Sequence, residues 1–293
     1  MDIGFLGAGL MSAPMIENLL ADGHSVRVWN RSAEKAQNVA TKGATAVAEP
    51  ADVLADGALL FSCLADDAAL DSVMGDGSVL EQLGTDGVHV SMSTISATCA
   101  ARHDKSHSAV NAHYVSAPIL GRPDAVQARM QSYLIAGNAI ACNRVEPILS
   151  ALGAKVFSFG DDPRAACIAK INFNFLIASA VEAMSEAFAV VEKAGVDPRA
   201  FHEMITGTAF GCRIYEGYGA FVLDQAWDSP LFRLVLGLKD VRLANEMAAD
   251  CNAEMRLGGL LEQRFSEAVA NGLGEKDWTV IAAEVRRETG LDT

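Results

Sequence analysis

Basic residues are scarce in this 293-residue sequence: 23 lysines and arginines stand against 37 aspartates and glutamates, a formal net charge of −14. The deficit is spread along the chain and not gathered into a tail. A nucleic acid or an anionic membrane would need a basic face, so neither is expected as a partner. Six cysteines (Cys63, Cys99, Cys142, Cys167, Cys212, Cys251) lie far apart with no Cys-x-x-Cys pair. That is not a zinc pattern, no metal site is expected, and a chain this size needs no disulfide staples. The cysteines read as reduced, small core residues. No basic segment or apolar signal core stands ahead of the first strand pattern, Asp2-Ile3-Gly4-Phe5-Leu6, and no stretch reads as long and apolar enough to span a bilayer. A cytoplasmic protein is expected. Internal repeats and low-complexity segments are also missing.

What is there describes an ordinary globular chain, 51% hydrophobic and 20% charged, long for one domain and comfortable for two. Short apolar runs near 2–6, 25–29, 58–63, 87–92, 113–116, 131–136 and 155–159 predict strands. Segments between them, such as Met11–Ala21, Ala33–Thr41 and Asn138–Leu152, carry apolar residues at helical spacing. Buried-type strands alternating with helices imply a mostly parallel, doubly wound sheet, an α/β Rossmann domain over residues 1–162. After Gly160 the alternation stops. Residues 163–195 read as one long helix, apolar nearly all round, and such a helix is buried on most faces. Helical periodicity alone continues through Asp197–Met204, Leu236–Met247, Arg256–Ala270 and Trp278–Arg287. An all-α domain over 163–293, joined by the long helix, is the expectation, with Gly-Val-Asp-Pro at 195–198 as a helix stop and restart.

Between the first strand and its helix lies Gly7-Ala8-Gly9-Leu10-Met11-Ser12, close to the G-x-G-x-x-G pyrophosphate fingerprint. Gly7 permits the tight turn, and Gly9 lets backbone approach phosphates whose charge rests on the helix N-terminus. Ser12 replaces the third glycine with another small residue. The second strand ends Asn30-Arg31-Ser32, with no acid before Glu34. An NAD site usually offers a carboxylate there for the ribose 2′-hydroxyl, whereas an arginine suits a 2′-phosphate, so NADP is favoured with NAD possible. The bland alternative is a solvated Arg31 and a Ser32 that only caps the next helix. Two further strand ends, Cys63-Leu64-Ala65-Asp66 and Ser93-Thr94-Ile95-Ser96, point to the same edge, or simply begin helices.

Taken in order, these motifs together with Met92-Ser93-Thr94-Ile95-Ser96, Ser116-Ala117-Pro118, Gly160 to Lys170 and Asn174, and Lys239-Asp240 resemble the β-hydroxyacid dehydrogenases over the whole chain. That family includes 3-hydroxyisobutyrate dehydrogenase, tartronate semialdehyde reductase and, more distantly, 6-phosphogluconate dehydrogenase. The resemblance implies an NAD- or NADP-dependent oxidoreductase, a helical domain that completes the active site, and dimers or tetramers. It places the catalytic lysine on Lys170, with Asn174 as its substrate-orienting partner, and puts Lys239 and Thr94 near the nicotinamide. Independently of it, Lys170 and Asn174 are i and i+4 on an apolar helix, and an unpaired charge buried there would be costly. The cofactor would thus be held by Gly7, Ala8, Gly9, Leu10, Met11, Asn30, Arg31, Ser32, Cys63, Leu64, Ala65, Thr94 and Lys239. A small-molecule substrate would meet Ser93, Leu120, Gly121, Arg122, Lys170 and Asn174. One departure stands out: the family usually reads Ser-Gly-Gly where this chain has Leu120-Gly121-Arg122, so a substrate carboxylate loses a hydroxyl, and Arg122 either points inward to pair with it or outward, leaving an apolar pocket for larger or uncharged carbonyls. Imine reductases are relatives that also lack that loop, though they usually lack the lysine kept here. An imine or amine oxidoreductase and a non-catalytic nucleotide-binding protein are the alternatives.

Overall fold

The computed structural model describes residues 1–54 and 59–291 and divides into two compact units, Met1–Lys170 and Ile171–Thr293. Among the described residues, nine strands belong to the first unit: Asp2–Leu6 (β1), Ser25–Trp29 (β2), Thr45–Ala46 (β3), Leu59–Ser62 (β4), Val88–Ser91 (β5), His113–Ser116 (β6), Ile119–Leu120 (β7), Ser132–Gly137 (β8) and Lys155–Ser158 (β9). Ala58, where the fourth strand was expected to begin, lies outside the described residues, as do Asp292 and Thr293. The order is β3-β2-β1-β4-β5-β6-β8-β7, with β9 beside β8. Pairing is parallel from β3 to β6, and β8 turns antiparallel to β6 and β7. The first six strands have the order of a dinucleotide-binding sheet, in which the strand order reverses between β1 and β4. Strands β3 and β7, two residues each, are too short to show a period in sequence.

Among the described residues, seven α-helices cover this sheet: Ser12–Ala21 (α1), Ala33–Ala40 (α2), Asp67–Met74 (α3), Ser78–Leu83 (α4), Ala97–Ala109 (α5), Pro123–Gln127 (α6) and Ala139–Leu152 (α7). Alternation along the strands sends side chains into two apolar layers. Phe5, Val28, Phe61 and Val90 pack with Met15, Ile16 and Leu19 of α1 and with Val145 and Leu149 of α7. On the opposite layer Leu6, Leu60 and Tyr114 pack with Leu70, Met74, Val79, Leu83 and Cys99 of α3 to α5. Covering both faces is what lets β4 and β5 be buried at every position.

The long helix Pro163–Lys193 (α8) ends close to the expected stop, and Gly195 takes φ +82° before Asp197 caps Pro198–Thr206 (α9) through the Arg199 amide. The second unit continues with Arg213–Asp224 (α10), Leu234–Asp250 (α11), Arg256–Ala268 (α12) and Ile281–Glu288 (α13). Its core gathers Phe188, Trp227, Leu238, Leu261 and Phe265 around Trp278, whose indole meets Tyr218, Phe232 and Phe265 edge to face.

Two expectations need correction. α8 is in fact long and apolar enough to cross a membrane by length and composition, with a mean hydropathy of 1.4 over its most apolar window; that window is 56% buried within the protein, which is how a core helix passes the same test. The cysteines are not uniformly core residues either. Cys99 and Cys167 are buried, but Cys212 and Cys251 are exposed; no disulfide joins the described residues.

Candidate functional site

The turn from β1 into α1 is shaped by two glycines that differ in kind. Gly7 adopts φ +104°, and a Cβ there would lie 2.5 Å from the Cys63 carbonyl oxygen, so the protein itself demands glycine. At Gly9 an added Cβ would meet nothing within 4 Å. No contact inside the protein requires glycine at that position. A close approach by something outside the chain would, and α1 begins there with no side-chain cap and no acid in its first turn. The free positive end of a helix beside an open glycine is the form of a phosphate cradle. Leu10 stands 66% exposed above it, Ala8 and Ser12 are buried, and Met11 is partly covered.

Asn30 fixes this turn. Its Oδ1 accepts the Ala8 amide at 2.9 Å and its Nδ2 donates to the Ser32 carbonyl at 3.0 Å. Both ends of the side chain are therefore engaged within the protein, where they hold the glycine turn. Arg31 and Ser32 are exposed at the end of β2. Ser32 occupies the N-cap of α2 without a side-chain cap bond, so its hydroxyl is not committed to that role.

The ends of β4 and β5 close the same edge. Ser93, 2% exposed, accepts the Leu64 amide on its Oγ at 2.8 Å, and the Met92 amide donates to the Ser62 carbonyl at 2.7 Å. Ser93 thus ties the two strand ends together, with Cys63 and Leu64 partly covered, Ala65 exposed and Thr94 partly covered along them. Asp66 and Ser96 are N-caps, accepting from the amides of Ala69 and Cys99. For those two residues the plain helix-start reading holds. Further along, Leu120 ends β7 and Gly121 faces Gln131 so closely that a Cβ would sit 2.7 Å from its Cβ. Arg122 precedes α6, with Nε 3.7 Å from Asp124 Oδ1 and its side chain 29% exposed.

Lys170 and Asn174 lie one turn apart on α8, 7% and 6% exposed. Asn172, also polar, is exposed instead, and its Nδ2 donates to the Met247 sulfur. Asn174 Nδ2 donates to Asp240 Oδ2 at 2.5 Å, and Lys239 Nζ lies 3.0 Å from Oδ1 of the same carboxylate, an ion pair without hydrogen-bond alignment. Asp240 is 1% exposed. Its hold on Asn174 is not legible in the sequence, because the two residues are 66 positions apart.

These residues fit a dinucleotide: an open glycine at a bare helix start, on the crevice where the strand order reverses, beside an exposed arginine and no carboxylate. Residues 2–160 match the family described as the NAD binding domain of 6-phosphogluconate dehydrogenase, and residues 165–285 the one described as NAD-binding of NADP-dependent 3-hydroxyisobutyrate dehydrogenase. An uncharacterized oxidoreductase of Bacillus subtilis (strain 168), YfjR, is 34% identical over 282 residues, covering 96% of this chain and 98% of its own. The 3-sulfolactaldehyde reductase of Escherichia coli (strain K12) is 29% identical over 291 residues, covering 99% of this chain and 97% of its own. Among solved structures, Mycobacterium tuberculosis 3-hydroxyisobutyrate dehydrogenase shares the fold at a TM-score of 0.87 and 24% identity, covering 97% of this chain and 98% of its own.

Proposed function

The chain belongs to the family of 3-hydroxyisobutyrate and 6-phosphogluconate dehydrogenases and is an NAD(P)-dependent oxidoreductase, and on that premise we propose that it is an NADPH-linked reductase of small carbonyl compounds. Short hydroxyacids and semialdehydes, paired as alcohol and carbonyl, are the leading substrates. The observation that carries this reading is the pair of buried polar residues, Lys170 and Asn174, one turn apart on a helix that is otherwise largely apolar. When bound, the nicotinamide supplies or accepts the hydride at carbon. Lys170 gives or takes the proton at the substrate oxygen, a general acid–base role that a desolvated amine suits. Asn174, held by Asp240, orients the substrate, and Lys239 is assigned to the nicotinamide by the family resemblance.

NADP is preferred because Arg31 is exposed at the end of β2, where it can grip a 2′-phosphate bidentately, with Ser32 and Lys35 beside it. The protein assembles as a homodimer or homotetramer, for which Ile168, Leu176 and Val190 on α8, 40%, 64% and 64% exposed, supply apolar surface. Light scattering should show more than one chain per particle at micromolar concentration; a monomer refutes the assembly.

NADPH oxidation in parallel with glyoxylate, succinic semialdehyde, a matched uncharged aldehyde and a cyclic imine tests the substrate class. Turnover of an aldehyde is expected, and turnover of the imine alone would overturn the reading. Asp124 beside Arg122 partly compensates the guanidinium, and Leu120 adds apolar wall in place of a hydroxyl. Uncharged or larger aldehydes should therefore compete well with acids. A strong preference for the acid that Arg122→Ala abolishes would show that Arg122 binds the carboxylate.

A further inference from the structure

On the layer of the first unit formed by α3 to α5, three side chains of metal-ligating type converge. Cys99 and His103 are i and i+4 on α5 and share one face. Asp71 of α3 reaches them: its Oδ1 lies 2.9 Å from His103 Nε2 and 3.9 Å from Cys99 Sγ, and the three ligand atoms all fall within 4.8 Å of one another. We propose that Asp71, Cys99 and His103 form a binding site for a borderline-soft divalent cation of the zinc class, with water as the fourth ligand.

The two Asp71 spacings are close to what such an ion requires, and the ligand atoms of Cys99 and His103 lie within 4.8 Å of each other. Bonds of about 2.0–2.3 Å in a tetrahedral shell place neighbouring ligand atoms about 3.3–3.7 Å apart. The Asp71–His103 pair must widen by about 0.5 Å to reach that spacing and the Asp71–Cys99 pair must close by a few tenths of an ångström. Asp71 can supply both movements, because its side chain is 45% exposed while Cys99 and His103 are buried. Its exposure also opens the site to solvent for the fourth ligand. The two carboxylate oxygens are already divided: Oδ2 pairs with Arg102 Nη2 at 2.6 Å, and Oδ1 is the one turned towards the cysteine and histidine.

Donor chemistry selects the ion. Magnesium and calcium take oxygen ligands, whereas a set of one thiolate, one imidazole and one carboxylate suits zinc. The surroundings hold the ligands in place. The His103 ring stacks on Tyr114 with centroids 5.9 Å apart, and its backbone carbonyl accepts from His107 Nδ1 at 2.6 Å, which pins that turn of α5. A bound ion would tie α3, which follows β4, to α5, which follows β5. The spacing of the cysteines among themselves gives no hint of this, since only one is used and the carboxylate comes from another helix.

The test uses the full chain, stripped with EDTA and titrated with Zn2+ against a chromogenic chelator, with metal content measured after gel filtration. One zinc per chain is expected. Cys99→Ser and Asp71→Asn should each weaken binding roughly a hundredfold or more, while Cys212→Ser, at an exposed cysteine of the second unit, should leave it unchanged. With Co2+ in place of zinc, the wild type should show a thiolate-to-cobalt charge-transfer band that Cys99→Ser lacks. Should Cys99→Ser fail to fold by circular dichroism, the half-exposed Asp71→Asn decides alone. No zinc retained by the wild type, or affinity unchanged in a folded Cys99→Ser or Asp71→Asn, overturns the proposal.

Discussion

Gly7 and Gly9 stand two residues apart in one turn, yet alanine at each should fail in a different way. At Gly7 the penalty falls on folding. A non-glycine residue at φ +104° costs about 1–3 kcal/mol in backbone conformation alone. The new Cβ would also lie 2.5 Å from the Cys63 carbonyl oxygen, a backbone atom that cannot swing aside. Gly7→Ala should therefore lose about 3 kcal/mol or more of stability, seen as a lower midpoint in urea at unchanged slope. At Gly9 the Cβ meets nothing within 4 Å and the backbone is ordinary, so Gly9→Ala should fold as well as the wild type. Its penalty falls on the ligand, because the methyl group stands where phosphate must approach the helix start. Losing one charge-assisted hydrogen bond is worth about 1.5–3 kcal/mol, so NADPH affinity should fall at least about tenfold. Paired urea denaturation and fluorescence titration with NADPH read both quantities. If Gly9→Ala binds NADPH like the wild type, the phosphates do not rest on this turn; if Gly7→Ala is as stable as Gly9→Ala, the clash argument is wrong.

Three other outcomes follow from the same structure. Lys170→Ala should lower turnover at least about a hundredfold with NADPH binding largely kept, and near-normal turnover in the folded variant removes the lysine from the chemistry. Arg31→Asp should weaken NADPH by about 2–3 kcal/mol and affect NADH little; an unchanged NADPH dissociation constant would falsify the 2′-phosphate assignment. Acid should destabilise the fold through a buried histidine chain. His107 Nδ1 donates to the His103 carbonyl, so its Nε2 must accept from His89 Nδ1 at 3.0 Å, and His89 Nε2 then accepts from Ser62 Oγ at 2.7 Å. This is the pattern of two neutral rings, the form that burial favours. Burial pushes His107 down to about 4 and His89 well below its ordinary 6.5. The unfolded chain binds the extra protons, so this stability is present above about 6.5 and lost as pH falls towards 4, by about 2 kcal/mol at pH 5 for His107 alone. Denaturation with chelator present, from pH 7 to pH 5, should fall more steeply for wild type than for His107→Asn; equal slopes refute the arrangement.

What the sequence makes legible here is local. The strand and helix periods, the glycine turn and the stop at Gly195 each depend on neighbours a few residues away, and the structure places most of those elements within a residue or two of where the patterns put them, while Leu234–Asp250 runs three residues past the expected Met247 and the last α-helix starts at Ile281, after a 3-10 turn at Trp278–Val280. Helix α10 went unseen because Gly217 and Gly219 weaken a helical pattern. Gly219 is there for packing, since a Cβ would run into the His202 ring. The same distinction governs the site. Arg31 and Lys170 were readable because a charge at a strand end, or on an apolar helix, is anomalous in its own neighbourhood. Asn30 was readable as a candidate but not as a brace, because its bond to Ala8 exists only once β2 lies beside β1. Asp240, or Asp71 and Cys99, are ordinary residues on ordinary helices until folding sets each carboxylate against another element. A carboxylate 1% exposed, as Asp240 is, must have partners, and those partners are assigned only by tertiary structure. Residues that touch the cofactor or substrate can thus be proposed from sequence, while the residues that hold them in position require the fold.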